Sequence, residues 1–104
     1  MNDKNVKNVE KNDEINEIGE VKIGTKTRIQ YVEATIFLLN KHSKVNIMAR
    51  GAMIEKAVTT ATILQELNLV ENGDIKYWRE KFTDKENRIR QVTCINIIVK
   101  AKKQ

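Results

Sequence analysis

The chain has 104 residues, 40% of them hydrophobic, with 19 Lys and Arg set against 14 Asp and Glu, for a formal charge of +5 at pH 7. That length and apolar share suit one domain with one modest core, and the basic balance points toward polyanionic partners. The single cysteine, Cys94, excludes an intrachain disulfide and a Cys-rich zinc site. No apolar run approaches the roughly 18 residues of a membrane span. No metal-ligand cluster or nucleophile–base pair suggests catalysis, so no catalytic residue, metal or cofactor is expected, and no membrane partner.

Residues 1–17 are rich in Asn, Lys, Asp and Glu, with five acids against three lysines. They read as a flexible acidic tail, because they hold too little apolar surface to offset ordering. The remainder, residues 18–104, reads as the folded domain and carries +7. "IGEVKIG" (18–24) alternates in part and reads as a strand. Thr27 with Gln30 has capping-box spacing, and Ile29, Val32, Ile36 and Leu39 recur at helical spacing behind it. "VNIMA" (45–49) is short and rich in branched residues, so it reads as a strand. A second helix is expected over 52–68, with Ile54, Ala57, Val58, Ala61, Leu64 and Leu67 as its apolar face. "ENGD" (71–74) is a turn signal. "IKYWREKF" (75–82) and "IRQVTCINIIVKA" (89–101) read as two long strands joined by the loop "TDKEN" (83–87).

The expected fold is therefore α+β: a two-layer β-α-β-α-β-β sandwich. Right-handed crossovers make the first two strands parallel neighbours, with both helices on one face of a mixed four-stranded sheet and a long terminal hairpin as an arm. Each helix then starts at the same edge of the sheet. Lys22, Thr25, Lys26 and Arg28 surround the first strand-to-helix turn, and Arg50 and Gly51 form the second. If the third strand also runs parallel, the hairpin leaves by that edge and brings Arg79, Lys81, Lys85, Arg88 and Arg90 with it. Residues 74–104 carry nine bases against four acids, whereas residues 54–73 are net acidic. Segregated charge of this kind marks a polyanion-binding surface, and an arginine-studded ribbon suits backbone and groove contacts more than base readout. Arg50 is the expected phosphate contact, with Gly51 allowing close backbone approach.

Other residues have plainer readings. His42 follows the first helix, where a cation favours the helix dipole. Cys94 reads as a half-buried small hydrophobe. Tyr31 reads as an edge-of-core residue. Tyr77 and Trp78 alternate faces, and packing or a subunit contact suits Trp78 better than stacking on a base.

"VKIGTKTRIQYVEATIFLLNK" and "VNIMARGAMIEKAVTTATILQ", followed by a basic hairpin, resemble the Alba family of small nucleic-acid-binding proteins over about residues 20–101. The "IG-x-K" turn and the "ARG…I-x-KAV" junction carry the resemblance. It implies a fold similar to the C-terminal domain of a bacterial translation initiation factor. It also implies a homodimer, or a heterodimer with another Alba-family protein, whose paired hairpins reach along double-stranded DNA, with RNA as a second ligand. Lys26 matches the second lysine of the family's "GKK" turn, and Arg50 the first arginine of "ARGR". Thr25 stands where archaeal members usually carry a first lysine, the family's acetylation point, and Ala52 stands where a second arginine is common. The implied function is largely sequence-independent DNA and RNA binding in chromatin organisation or messenger-RNA and translation regulation, in the nucleus and cytoplasm. The alternative is a protein subunit of a ribonuclease P/MRP-like particle binding structured RNA. The Asn- and Lys-heavy composition, without proline, fits an AT-rich genome and a eukaryotic member.

Overall fold

The computed structural model of the chain describes residues 18–102; the acidic tail expected over residues 1–17 lies outside them. The elements are β1 (Ile18–Lys22), α1 (Arg28–Leu39), β2 (Lys44–Arg50), a 3-10 turn (Gly51–Met53), α2 (Ile54–Glu66), β3 (Val70–Thr83) and β4 (Ile89–Ala101). They form one four-stranded sheet in the order β1-β2-β4-β3. β1 and β2 are parallel, and β4 is antiparallel to both β2 and β3. The α+β two-layer architecture read from the sequence is therefore the one observed.

Alternation decides what each face of the sheet meets. Val45, Ile47 and Ala49 of β2 are buried, and they pair with the buried Val99, Ile97 and Ile95 of β4. Both helices cover this side. On α2, the small side chains of Ala57 and Ala61 let the backbone approach the sheet, with Leu64 fully buried beside them. Thr35 and Thr60 are also buried, and each hydroxyl donates to the carbonyl four residues back, on Tyr31 and Lys56 respectively, both at 2.8 Å. Neither hydroxyl is thereby left unsatisfied in the core.

The first helix starts as its spacing requires. Gln30 N–H donates to Thr27 Oγ1 (3.2 Å), and Thr27 N–H donates to Gln30 Oε1 (3.0 Å). Of the expected stripe, Val32 is buried and Ile36 and Leu39 pack against the core, but Ile29 is 57% exposed and the buried face is completed by Tyr31 and Thr35. On α2, Val58 and Leu67 of the expected face are exposed as well.

"ENGD" is not a turn. The chain reverses earlier, at Asn68, which takes φ +62°. Leu69 N–H then donates to Leu64 C=O (3.1 Å) and Asn68 N–H to Gln65 C=O (2.8 Å), a Schellman ending for α2. Residues 71–74 lie inside β3, where the register shifts between Asn72 and Ile75. Gly73 serves close approach there, because a Cβ would lie 2.8 Å from the Ile98 carbonyl oxygen. Gly73→Ala must therefore push β3 from β4, and we expect a lowered melting temperature equivalent to about 1–3 kcal/mol, measured by thermal denaturation.

Candidate nucleic-acid interface

β4 lies antiparallel between β2 and β3, so β3 runs in the same direction as β1 and β2. The turns after β1 and β2 and the tip of the β3–β4 hairpin consequently leave by one end of the sheet. Arg50, Cys94 and Trp78 are level across it. Beyond that row β3 and β4 continue alone for five residue pairs, Arg79↔Thr93 to Thr83↔Ile89, an arm of about 17 Å. The condition on which the convergence of charge depended is met. The β1 turn and β3 are still three strand spacings apart, about 14 Å.

The turn after β1 is clamped from two sides. The Tyr31 hydroxyl accepts from Gly24 N–H (2.7 Å) and Lys26 N–H (3.2 Å), while Lys56 Nζ donates to the carbonyls of Gly24 (2.9 Å) and Lys26 (2.7 Å). A side chain of α1 and one of α2 thus fix the backbone that presents Lys26. Lys56 was not singled out from sequence; the lysine of "I-x-KAV" was its only signal.

The second turn differs from its expected form. Arg50 precedes the short 3-10 turn and makes no side-chain cap, and the first turn of α2 carries an acid, Glu55. That carboxylate already occupies the favourable position for negative charge. Gly51 takes φ +55°, so its glycine is demanded by backbone conformation.

Several expected cations have internal partners. Arg28 is paired with Glu55, and Arg50 Nη2 lies 3.4 Å from Glu80 Oε1. Arg88 and Arg90 both reach Asp84 Oδ2, at 3.3 and 3.1 Å, and Arg88 also pairs with Glu86. Arg88 belongs to the loop, because β4 begins at Ile89. Arg90 faces opposite Phe82, whereas Arg79 and Lys81 lie on the other side of the ribbon with Thr93 and Gln91. Lys22, Lys26, Arg79, Lys81 and Lys85 have no acidic partner among the described residues. Thr25, in the clamped turn, is exposed.

Two carboxyls are held below their ordinary values. In Glu55 the hydrogen bond from Arg28 is the main cause. In Asp84 it is the backbone N–H of Arg88, aided by Glu86 N–H and the two arginines. Asp84 Oδ1 accepts both amides at 2.9 Å and so shapes the tip as well as charging it. Among the described residues no group of three or more His, Cys, Asp and Glu is placed to hold a metal ion, and no helix is long and apolar enough to cross a membrane.

These features define a class: a small basic α+β protein whose helix-starting turns and hairpin arm share one end of a mixed sheet. Residues 19–77 match the sequence pattern of the Alba family, and the chain belongs to that family. It is 36% identical to the DNA/RNA-binding protein Alba of Pyrobaculum islandicum over 81 residues, 74% of this chain and 88% of that one. It is 37% identical to the protein of the same name from Nitrosopumilus maritimus over 83 residues, 75% and 85% of the two chains. Among solved structures, Alba from Thermoplasma volcanium superposes with a TM-score of 0.72 at 26% identity, covering 79% of this chain and 99% of that one. ALBA1 from Trypanosoma brucei gives 0.68 at 25% identity, covering 80% and 68%. The expectation of a eukaryotic source still rests on composition.

Asp84→Asn keeps an oxygen for the two loop amides but removes the charge that holds Arg88 and Arg90. We expect tighter binding of polyanions such as heparin or DNA, with a steeper salt dependence, while Asp84→Ala should disorder the tip. In the wild type the lowered carboxyl keeps the arrangement intact at and above its ordinary pKa of 3.8, and it is lost as pH falls through the lower folded value. Amide exchange of Glu86 and Arg88 measures both effects.

Proposed function

We propose that the chain binds double-stranded DNA and RNA through backbone and groove contacts, largely independent of sequence. The observation that carries this reading is that Lys22, Lys26, Arg79, Lys81 and Lys85, which have no acidic partner among the described residues, share the end where β1, β2 and β3 run out. Charges not spent on the protein's own carboxylates are the ones available to displace counterions from phosphate. The names of its Pyrobaculum and Nitrosopumilus relatives support the same ligand class. Arg50, Arg28, Arg88 and Arg90 join when phosphate replaces their carboxylate partners. The protein acts by binding and not by catalysis.

The working unit is a homodimer, or a heterodimer with another Alba-family chain. Val58 on α2 and Leu69, Ile75 and Tyr77 beside it are exposed apolar side chains, Tyr77 at 70%. Ile75 and Tyr77 pair with the buried Ile97 and Ile95, so they stand on the helix-bearing side of the edge strand β3. A partner covering this patch leaves both arms free. The roles that follow are chromatin organisation and messenger-RNA control in nucleus and cytoplasm. The same surface suits a ribonuclease P-like particle, and competition between duplex DNA and structured RNA separates the two.

A dimer neutralising about six phosphates should show log affinity for duplex falling against log salt with a slope near −5. Arg50→Ala should weaken binding and flatten that slope by about 1 for each phosphate the variant no longer neutralises. Its melting temperature should barely change, since exposed ion pairs contribute little. A salt-independent affinity would overturn the reading.

A further inference from the structure

The face of the sheet without helices carries a cleft of about 430 Å³ at the end where β1 stops, within the range of small-ligand sites. Its floor is set by register. Lys22, Met48 and Asn96 form one row across β1, β2 and β4, and Arg50, Cys94 and Trp78 form the next across β2, β4 and β3. Trp78 is 39% exposed, and its indole N–H donates to Glu80 Oε2 (2.9 Å). Glu80 Oε1 takes Arg50, so one carboxylate fixes both side chains at the cleft wall. Among the described residues the ring faces of Trp78 have no cation or aromatic partner, and the Asn96 amide has no side-chain partner.

An immobilised aromatic face, an amide carrying both donor and acceptor, and two cations at the rim are the parts needed to hold a nucleotide whose base is not paired. A duplex cannot supply one, because its bases are stacked on each other. Resting on the nucleic-acid reading above, we propose that this cleft seats a single unpaired base, stacked on Trp78 with its edge at Asn96 and its flanking phosphates at Lys22 and Arg50. The protein then has two modes: the arm and turns grip helical backbone, and the cleft selects strands with unpaired bases, such as RNA loops.

Trp78 is the chain's one tryptophan, so its emission reports on the cleft alone. The full chain would be titrated with an unstructured uridine-rich RNA 12-mer and with a blunt 20-base-pair DNA duplex, following emission and, separately, anisotropy of labelled nucleic acid. The single strand should quench or shift the emission, and the duplex should bind without doing so. Trp78→Leu should lose about tenfold in single-strand affinity and keep duplex affinity within about twofold, while Trp78→Phe should recover most of the loss. Unchanged emission at single-strand saturation overturns the proposal. So does an equal loss of both ligands in the Leu variant, which would make Trp78 a structural residue. If that variant does not fold, the wild-type emission and the Phe variant decide. Duplex binding without single-strand binding removes the cleft alone; failure of both ligands to bind removes the parent reading with it.

Discussion

β4 lies between β2 and β3 and runs against both, and that placement fixes where everything else can go. With β1 parallel to β2, three of the four strands end at the same side of the molecule. Had β3 run the other way, the hairpin would project from the opposite end, and Lys26 and Arg79 could not serve one ligand. The apolar rows of β2 and β4 supply the energy for this arrangement, because Val45, Ile47, Val99 and Ile97 bury against each other and against Leu64. The polar end of the sheet is carried by a core that lies apart from it.

The electrostatics of that end are layered. Glu55, Glu80 and Asp84 each hold an arginine, so part of the formal positive charge is spent inside the protomer. Any anion that reaches these arginines must compete with the carboxylates for them. They also set geometry: Asp84 folds the tip, and Glu80 joins Arg50 to Trp78. Arginine in such pairs is preorganised in orientation, whereas a lysine ammonium is a point charge on a flexible stem. The backbone turn that bears Lys26 is held by uncharged contacts of Tyr31 and by the Lys56 ammonium on two carbonyls, which leaves Lys26 itself uncommitted.

Features encoded within a few residues were legible in the sequence. The Thr27–Gln30 cap, the span of β4 and the order of elements all rest on local chemistry or on periodicity. Features that depend on distant partners were not. Gly73 and its neighbours look like a turn because glycine is rarely wanted in a strand, yet its reason is the Ile98 carbonyl on another strand. Arg28 and Glu55 are 27 positions apart, and nothing local marks them as a pair. Tyr31 reads from sequence as an edge-of-core residue; in the fold it is buried and its hydroxyl organises the loop at Gly24 and Lys26, while Ile29 is left exposed. Membership of the Alba family was readable from "IG-x-K" and "ARG…I-x-KAV", because those motifs coincide with the two strand-to-helix turns.

Past the row of Arg50 the arm has no third strand. β4 has left β2 behind, and each strand of the ribbon presents a bare line of amides and carbonyls to solvent. Such margins invite another chain to add itself on, and lysine and arginine are among the residues that discourage it. Arg79, Lys81 and Arg90 therefore act as fenders, whatever else they touch. A neutral hairpin of this length would need some other protection for its margins, so its positive character follows in part from its shape.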